Sequence, residues 1–78
     1  MFYIESIDES RMVLEGTVPN KIVEPGHTLS FMDLDFNNID CEATVESITR
    51  NGYEATITLT EPLPEIITTD IVAYNKNR

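Results

Sequence analysis

Apolar and polar residues alternate one by one along several short segments of this chain, and this period of two constrains its fold more than any other feature. In residues 41–49, Cys41, Ala43 and Val45 fall on one side and polar residues lie between them. Residues 54–60 repeat the pattern, with threonine at every second position. Such alternation, rich in β-branched residues, predicts strands that bury one face.

The glycine between these two segments, Gly52, predicts a β-hairpin. A three-residue loop, 50–52, pairs Val45 with Ile57 and keeps the apolar residues of both strands on one face. We therefore favour this register. The alternative is a two-residue turn with a bulge near Ser47-Ile48, which would bury the isoleucine.

The rest of the chain repeats this pattern of short strands and turn residues. The order proline then glycine at Pro25-Gly26 predicts a type II turn. Six short strands with frequent turns predict an all-β fold, a small antiparallel Greek-key barrel in a single domain of residues 1–74. We expect residues 75–78 to form a disordered tail. The further predicted strands are 2–7, 11–18, 28–32 and 70–74, with extended pieces at 21–23 and 66–67.

Residues 16–29 carry a resemblance to a known family. Gly16, Val18, Ile22, Gly26 and Leu29 fall in step with the second domain, a β-barrel, of translational GTPases such as elongation factor Tu. The resemblance implies a barrel fold, and it extends to two later strands, at 41–48 and 67–72.

The chain departs from that family in ways that bear on function. Lys21 stands where the family usually has glycine, and His27 where it has an acidic residue. The GTPase domain and its phosphate-binding loop are absent from this sequence. We therefore do not expect the family's RNA contacts here.

A second resemblance involves the turn predicted after the first strand. Asp8-Glu9-Ser10 looks like part of a PilZ-type barrel, which binds cyclic dinucleotides. That family has an arginine-rich motif upstream, which this chain lacks, and a glycine where Val13 stands. Cyclic-dinucleotide binding is therefore kept only as an alternative function.

The charge of the chain indicates what kind of partner it takes. The chain has fourteen acidic residues and five Lys or Arg residues. Residues 1–74 contain all fourteen acidic residues and three of the five basic ones, so their formal charge is −11. Such a surface repels nucleic acid and anionic membranes and attracts basic proteins. We expect a basic protein partner, although acidic residues also serve solubility. The candidate partner-binding residues are Glu42, Glu46 and Glu54.

Residues 33–40 are the segment most like a metal or small-ligand site. Their alternate acidic residues resemble the first half of a calcium loop, whose carboxylate oxygens converge on the ion. The second half does not fit, since Thr44 stands where a bidentate glutamate is needed. A polar loop organised by Asx turns is the alternative. The candidate ligands are Asp33, Asp35, Asn37 and Asp40.

Catalysis is not expected, because the chain holds a single histidine, His27, and a single cysteine, Cys41. One histidine and one cysteine do not by themselves indicate a zinc site or a nucleophile–base pair. One cysteine excludes an internal disulfide, and the first residues do not read as a signal peptide. We therefore expect a cytoplasmic, non-catalytic binding module without a cofactor, either monomeric or homodimeric.

Overall fold

The computed structural model describes residues 1–18 and 23–76, and every regular element in them is a β-strand. It contains no helix that could cross a membrane within those residues. The strands are β1 (Phe2–Ile7), β2 (Val13–Thr17), β3 (Thr28–Met32), β4 (Asn38–Asn51), β5 (Glu54–Leu59) and β6 (Val72–Asn75).

The six strands form one antiparallel sheet that closes on itself as a barrel in the order β1-β2-β5-β4-β3-β6. Strands β3, β4 and β5 follow one another as neighbours, whereas β2 lies beside β5, which gives the Greek-key order. The predicted all-β barrel is therefore confirmed. Closure leaves no free sheet edge among these strands.

The inward-facing residues of all six strands form one core. Leu14, Leu29, Phe31, Ile57 and Leu59 are fully buried. Alternation along the strands places these side chains inside, and their neighbours are at least partly exposed, except for Ser30, which is also buried. Leu14, Gly16 and Val18, at every second position, are buried, and Met12 is partly buried.

Strands β1 and β2 approach closely at Gly16. A Cβ atom on this residue would lie 2.0 Å from the carbonyl oxygen of Tyr3 and 3.0 Å from Cζ of Phe2. The pairing register also shifts between Ile4 and Ser6, so that Glu5 is the extra residue of a bulge. Glycine is required here because the two backbones leave no room for a side chain.

The favoured register of the β4–β5 hairpin is wrong. Val45 pairs with Leu59 and not with Ile57, and the turn consists of Gly52 and Tyr53. The pairing shifts between Val45 and Ser47, which makes Glu46 the extra residue of a bulge. The reason is that one inserted residue resets the alternation, so both Val45 and Ile48 pack toward the core. The alternative, a two-residue turn with a bulge, is closer to the structure. The observed bulge is at Glu46, whereas the sequence predicts it near Ser47-Ile48.

The prediction of a type II turn at Pro25-Gly26 is confirmed. The amide N–H of His27 donates to the carbonyl of Glu24 at 3.0 Å, and Gly26 has a φ of +90°. Most of the extended piece predicted at 21–23 lies outside the described residues.

The end of the chain differs from the prediction. Residues 66–67 are not a strand, and residues 60–71 form a loop in which Ile67 is buried. Strand β6 continues to Asn75, and the amide N–H of Lys76 donates to the carbonyl of Thr28 at 2.9 Å. Pairing with β3 therefore extends beyond residue 74, where the sequence predicts a tail. Residues 77–78 lie outside the described part.

Candidate binding surface

Three of the loops emerge at the same end of the barrel. Since every pair of neighbouring strands is antiparallel, the β1–β2 turn (8–12), the β3–β4 loop (33–37) and the β5–β6 loop (60–71) share one end. The β4–β5 turn and the first residue of β1 lie at the other. We call the surface made by the three loops the acidic end. Its acidic residues are Asp8, Glu9, Asp33, Asp35, Glu61, Glu65 and Asp70.

The β1–β2 turn is organised by the carboxylate of Asp8. Its oxygens accept the Ser10 hydroxyl at 2.7 and 2.9 Å, and one of them also accepts the amide N–H groups of Met12 and Val13 at 3.2 and 3.1 Å. These bonds, chiefly the one from Ser10, hold the pKa of Asp8 below its ordinary value because they favour the ionised form.

Arg11 joins this turn to the β5–β6 loop. Its Nε donates to the carbonyl of Leu63 at 3.0 Å, and its Nη2 donates to the carbonyls of Pro64, at 2.8 Å, and Ile67. The amide N–H of Leu63 in turn donates to the carbonyl of Arg11 at 2.9 Å. Arg11 has a φ of 61°, a left-handed conformation that is uncommon outside glycine. The guanidinium therefore fixes the loop across the end of the barrel.

The β3–β4 loop is organised in the same way by Asp33. One carboxylate oxygen accepts the amide N–H groups of Asp35 and Asn37, both at 2.9 Å, and the other accepts the Asn37 side-chain amide at 3.2 Å. The bond from the backbone of Asn37 is the main cause that lowers the pKa of Asp33. The N–H of Phe36 donates to the Asp33 carbonyl at 3.1 Å, and Phe36 has a φ of 65°.

The acidic end carries a strong excess of negative charge. Seven acidic residues and one arginine give it a formal charge of −6. The arginine, Arg11, is directed at backbone carbonyls and not at a carboxylate. Asp8 and Asp33 are bonded to their own turns, so five carboxylates remain directed to solvent. These five, all exposed, are Glu9, Asp35, Glu61, Glu65 and Asp70.

Apolar side chains stand among these carboxylates. Leu34 is 66% exposed, Phe36 is 75% exposed and Ile66 is 63% exposed. All three lie in loops of the acidic end. The sequence contains the signal that marks them, namely apolar residues set beside acidic ones in loops. The metal-site, small-ligand and polar-loop interpretations of residues 33–40 give no role to these apolar side chains.

Of the predicted metal ligands, Asp33 and Asn37 contact each other through a hydrogen bond between their side chains. Asp33 uses both carboxylate oxygens within its own loop, and Asp40 lies in strand β4. Within residues 1–18 and 23–76, no group of three or more His, Cys, Asp or Glu side chains is arranged to hold a metal ion. The bonds of Asp33 are those of an Asx turn, which was the alternative for this segment.

The three predicted partner-binding glutamates are all exposed, but they are spread along the barrel wall. Glu42 forms an ion pair with Lys76. The hydrogen bond that Lys76 donates to Glu42 is the main cause that raises the pKa of Lys76. Glu46 lies at the bulge of β4. Glu54 is next to the β4–β5 turn, at the end opposite the acidic loops. They therefore do not form one cluster.

A pocket of about 370 Å³ lies beside strand β6. Its described lining is mostly apolar, with Val23, Leu29 and Ala73 among its walls, and it includes no charged side chain. The hydroxyl of Tyr74, which also lines it, already donates to the side-chain carbonyl of Asn38 at 3.1 Å. The pocket thus offers little to orient a polar or charged ligand.

Comparisons with protein-family models, with curated proteins and with solved structures found no match. The resemblance to the second domain of translational GTPases therefore stays a prediction.

Proposed function

We propose that this domain is a non-catalytic binding module that docks a basic protein through its acidic end. An inhibitor or immunity protein directed against a basic toxin or nuclease would work in this way, as would an acidic subunit of a larger complex. The observation that carries the proposal is the charge of −6 on one end of the barrel, where the single arginine is engaged by backbone carbonyls.

Electrostatics selects the class of partner. A concentrated patch of one sign raises the rate of encounter with a surface of the opposite sign, and this effect weakens as salt is added. Nucleic acid and anionic lipid both require basic protein surfaces and are repelled here. Lys- and Arg-rich protein surfaces are the remaining class that fits.

The chemistry of the reactive side chains supports a non-catalytic role. Nδ1 of His27 accepts the amide N–H of Glu24 at 3.2 Å and lies 3.0 Å from Nδ2 of Asn75, which places this ring nitrogen in structural contacts. Burial, and then the neighbouring Asp40 and Glu42, raise the pKa of the Cys41 thiol. A raised pKa disfavours the thiolate that a nucleophile needs.

Two triple variants with equal charge changes test the proposal. One replaces Asp35, Glu61 and Glu65 at the acidic end by the corresponding amides, and the other replaces Glu42, Glu46 and Glu54 on the wall. Immobilised protein is exposed to a cell lysate at low ionic strength, and bound proteins are eluted with salt and identified. We expect basic proteins to be recovered, and the acidic-end variant to lose them.

The wall variant is the matched control, since its net charge is the same. If it loses the bound proteins and the acidic-end variant keeps them, the predicted wall glutamates are the binding residues. Recovery of no basic protein at low salt would contradict the proposed function itself.

A further inference from the structure

Phe36 is exposed to solvent, and its backbone adopts a conformation that is unfavourable for a bulky residue. Its φ of 65° lies in the left-handed region, where a bulky side chain is uncommon and where glycine or asparagine fits better. Its ring is 75% exposed, so little burial offsets this backbone cost. Strained residues of this kind often occur at binding sites.

The loop holds the backbone of Phe36 in place before any partner arrives, so that the side chain starts from a fixed position. The carboxylate of Asp33 accepts three hydrogen bonds from Asp35 and Asn37, and the N–H of Phe36 donates to the Asp33 carbonyl. A rigid aromatic side chain loses little conformational entropy on binding. Exposed aromatic anchors of this type often contribute much of the affinity at protein interfaces.

We propose that Phe36, together with Leu34, is the apolar anchor of the acidic end, and that the partner is a basic protein segment in which Lys or Arg side chains flank apolar ones. The proposal rests on the function proposed above. Charge complementarity identifies this occupant: Asp35 lies between the two apolar residues, and the exposed carboxylates of the neighbouring loops share the same end. A second copy docked end to end would bring two surfaces of charge −6 together, which like-charge repulsion opposes.

Two synthetic peptides test this inference with the full chain. One contains lysine and leucine, and the other has serine in place of every leucine, so that length and charge are equal. Binding is measured by calorimetry at low ionic strength, and the contacted residues are identified from amide chemical shifts. We expect the lysine–leucine peptide to bind more tightly and to shift residues 33–37 most.

Variants at exposed apolar positions identify the anchor. Phe36→Gly is expected to weaken the lysine–leucine peptide about tenfold, and to raise the melting temperature because glycine accepts the positive φ. Leu34→Ser is a second variant that leaves the Phe36 backbone unchanged, and it is expected to weaken the same peptide. Tyr53→Ser is the control, since Tyr53 is 68% exposed but lies in the β4–β5 turn at the opposite end.

The outcomes separate the two proposals. Equal affinity for the two peptides, or unchanged affinity in both the Phe36 and the Leu34 variants, would overturn the apolar anchor and leave the acidic binding module standing. Failure of both peptides to bind at low ionic strength would overturn the proposed function, and the anchor with it.

Discussion

Replacing Arg11 by alanine removes the contacts that hold the β5–β6 loop across the acidic end. The guanidinium donates to the carbonyls of Leu63, Pro64 and Ile67, and each of these oxygens would lose a charged donor. Ile67 is fully buried and Leu63 nearly so, which means that the loop also covers part of the core. We therefore expect the variant to be destabilised throughout the domain and not only in this loop.

The structure gives the size of this effect. Hydrogen bonds to charged groups contribute about 1.5 to 3 kcal/mol each, and they are not additive when one group makes several. For three bonds from one half-exposed guanidinium, a total loss of about 3 kcal/mol is a reasonable expectation. A domain of this length has a stability of roughly 4 to 12 kcal/mol. The melting temperature should therefore fall by roughly 12 to 24 °C.

Two further variants at Arg11 separate the side chain from its backbone conformation. Arg11→Gly also removes the guanidinium, but glycine relieves the positive φ of 61°, so it should be about 1 kcal/mol more stable than Arg11→Ala. Arg11→Lys keeps the charge without the planar array of donors and should fall between wild type and Arg11→Ala.

Chemical denaturation of the three variants, followed by circular dichroism, measures these differences. Lys76→Gln removes the same charge from an exposed ion pair with Glu42, and we expect only a small change. An Arg11→Ala variant as stable as Lys76→Gln would refute the reasoning, because the three carbonyl contacts would then contribute nothing measurable.

Four further changes test other features of the structure. Gly16→Ala should cost about 3 kcal/mol or more in denaturant unfolding, because its Cβ would lie 2.0 Å from the Tyr3 carbonyl oxygen. Gly52→Ala should cost only about 1 kcal/mol, since no atom lies within 4 Å of the added Cβ and only the φ of +66° is unfavourable. Equal costs for the two glycine variants would contradict the steric explanation for Gly16. Added salt should raise the melting temperature, because screening reduces the repulsion of a chain of charge −9. Ionised Asp33 has a lowered pKa, so it stabilises the fold above the ordinary value of 3.8, and this contribution is lost as the pH falls below that value; Asp33→Asn should therefore flatten the loss of melting temperature on acidification.

The sequence predicted those parts of the fold that depend on local alternation and on turn residues. Strands β1 and β3 were placed at their observed bounds, and the type II turn at Pro25-Gly26 was identified from residue order. These features follow from backbone preferences that each segment carries by itself.

The parts that the sequence did not predict depend on contacts between distant residues. The bulge at Glu46 changes the hairpin register, yet nothing local marks that residue as the extra one. The loop of residues 60–71 is held by Arg11, which lies 52 to 56 residues before the carbonyls that it contacts. The polar face of a strand marks the wall glutamates as candidates, whereas the antiparallel order of the strands brings the acidic loops to one end.

The acidic residues of this end fall into two groups with different roles. Asp8 and Asp33 each bond to their own turn, so their replacement should change stability and loop geometry first. The five exposed carboxylates make no such bonds among the described residues, and their replacement should change partner binding while leaving the fold intact. This separation is what allows a small domain to concentrate like charges at one end. The turns that carry the charges are held by hydrogen bonds and by Arg11, and not by the five exposed carboxylates.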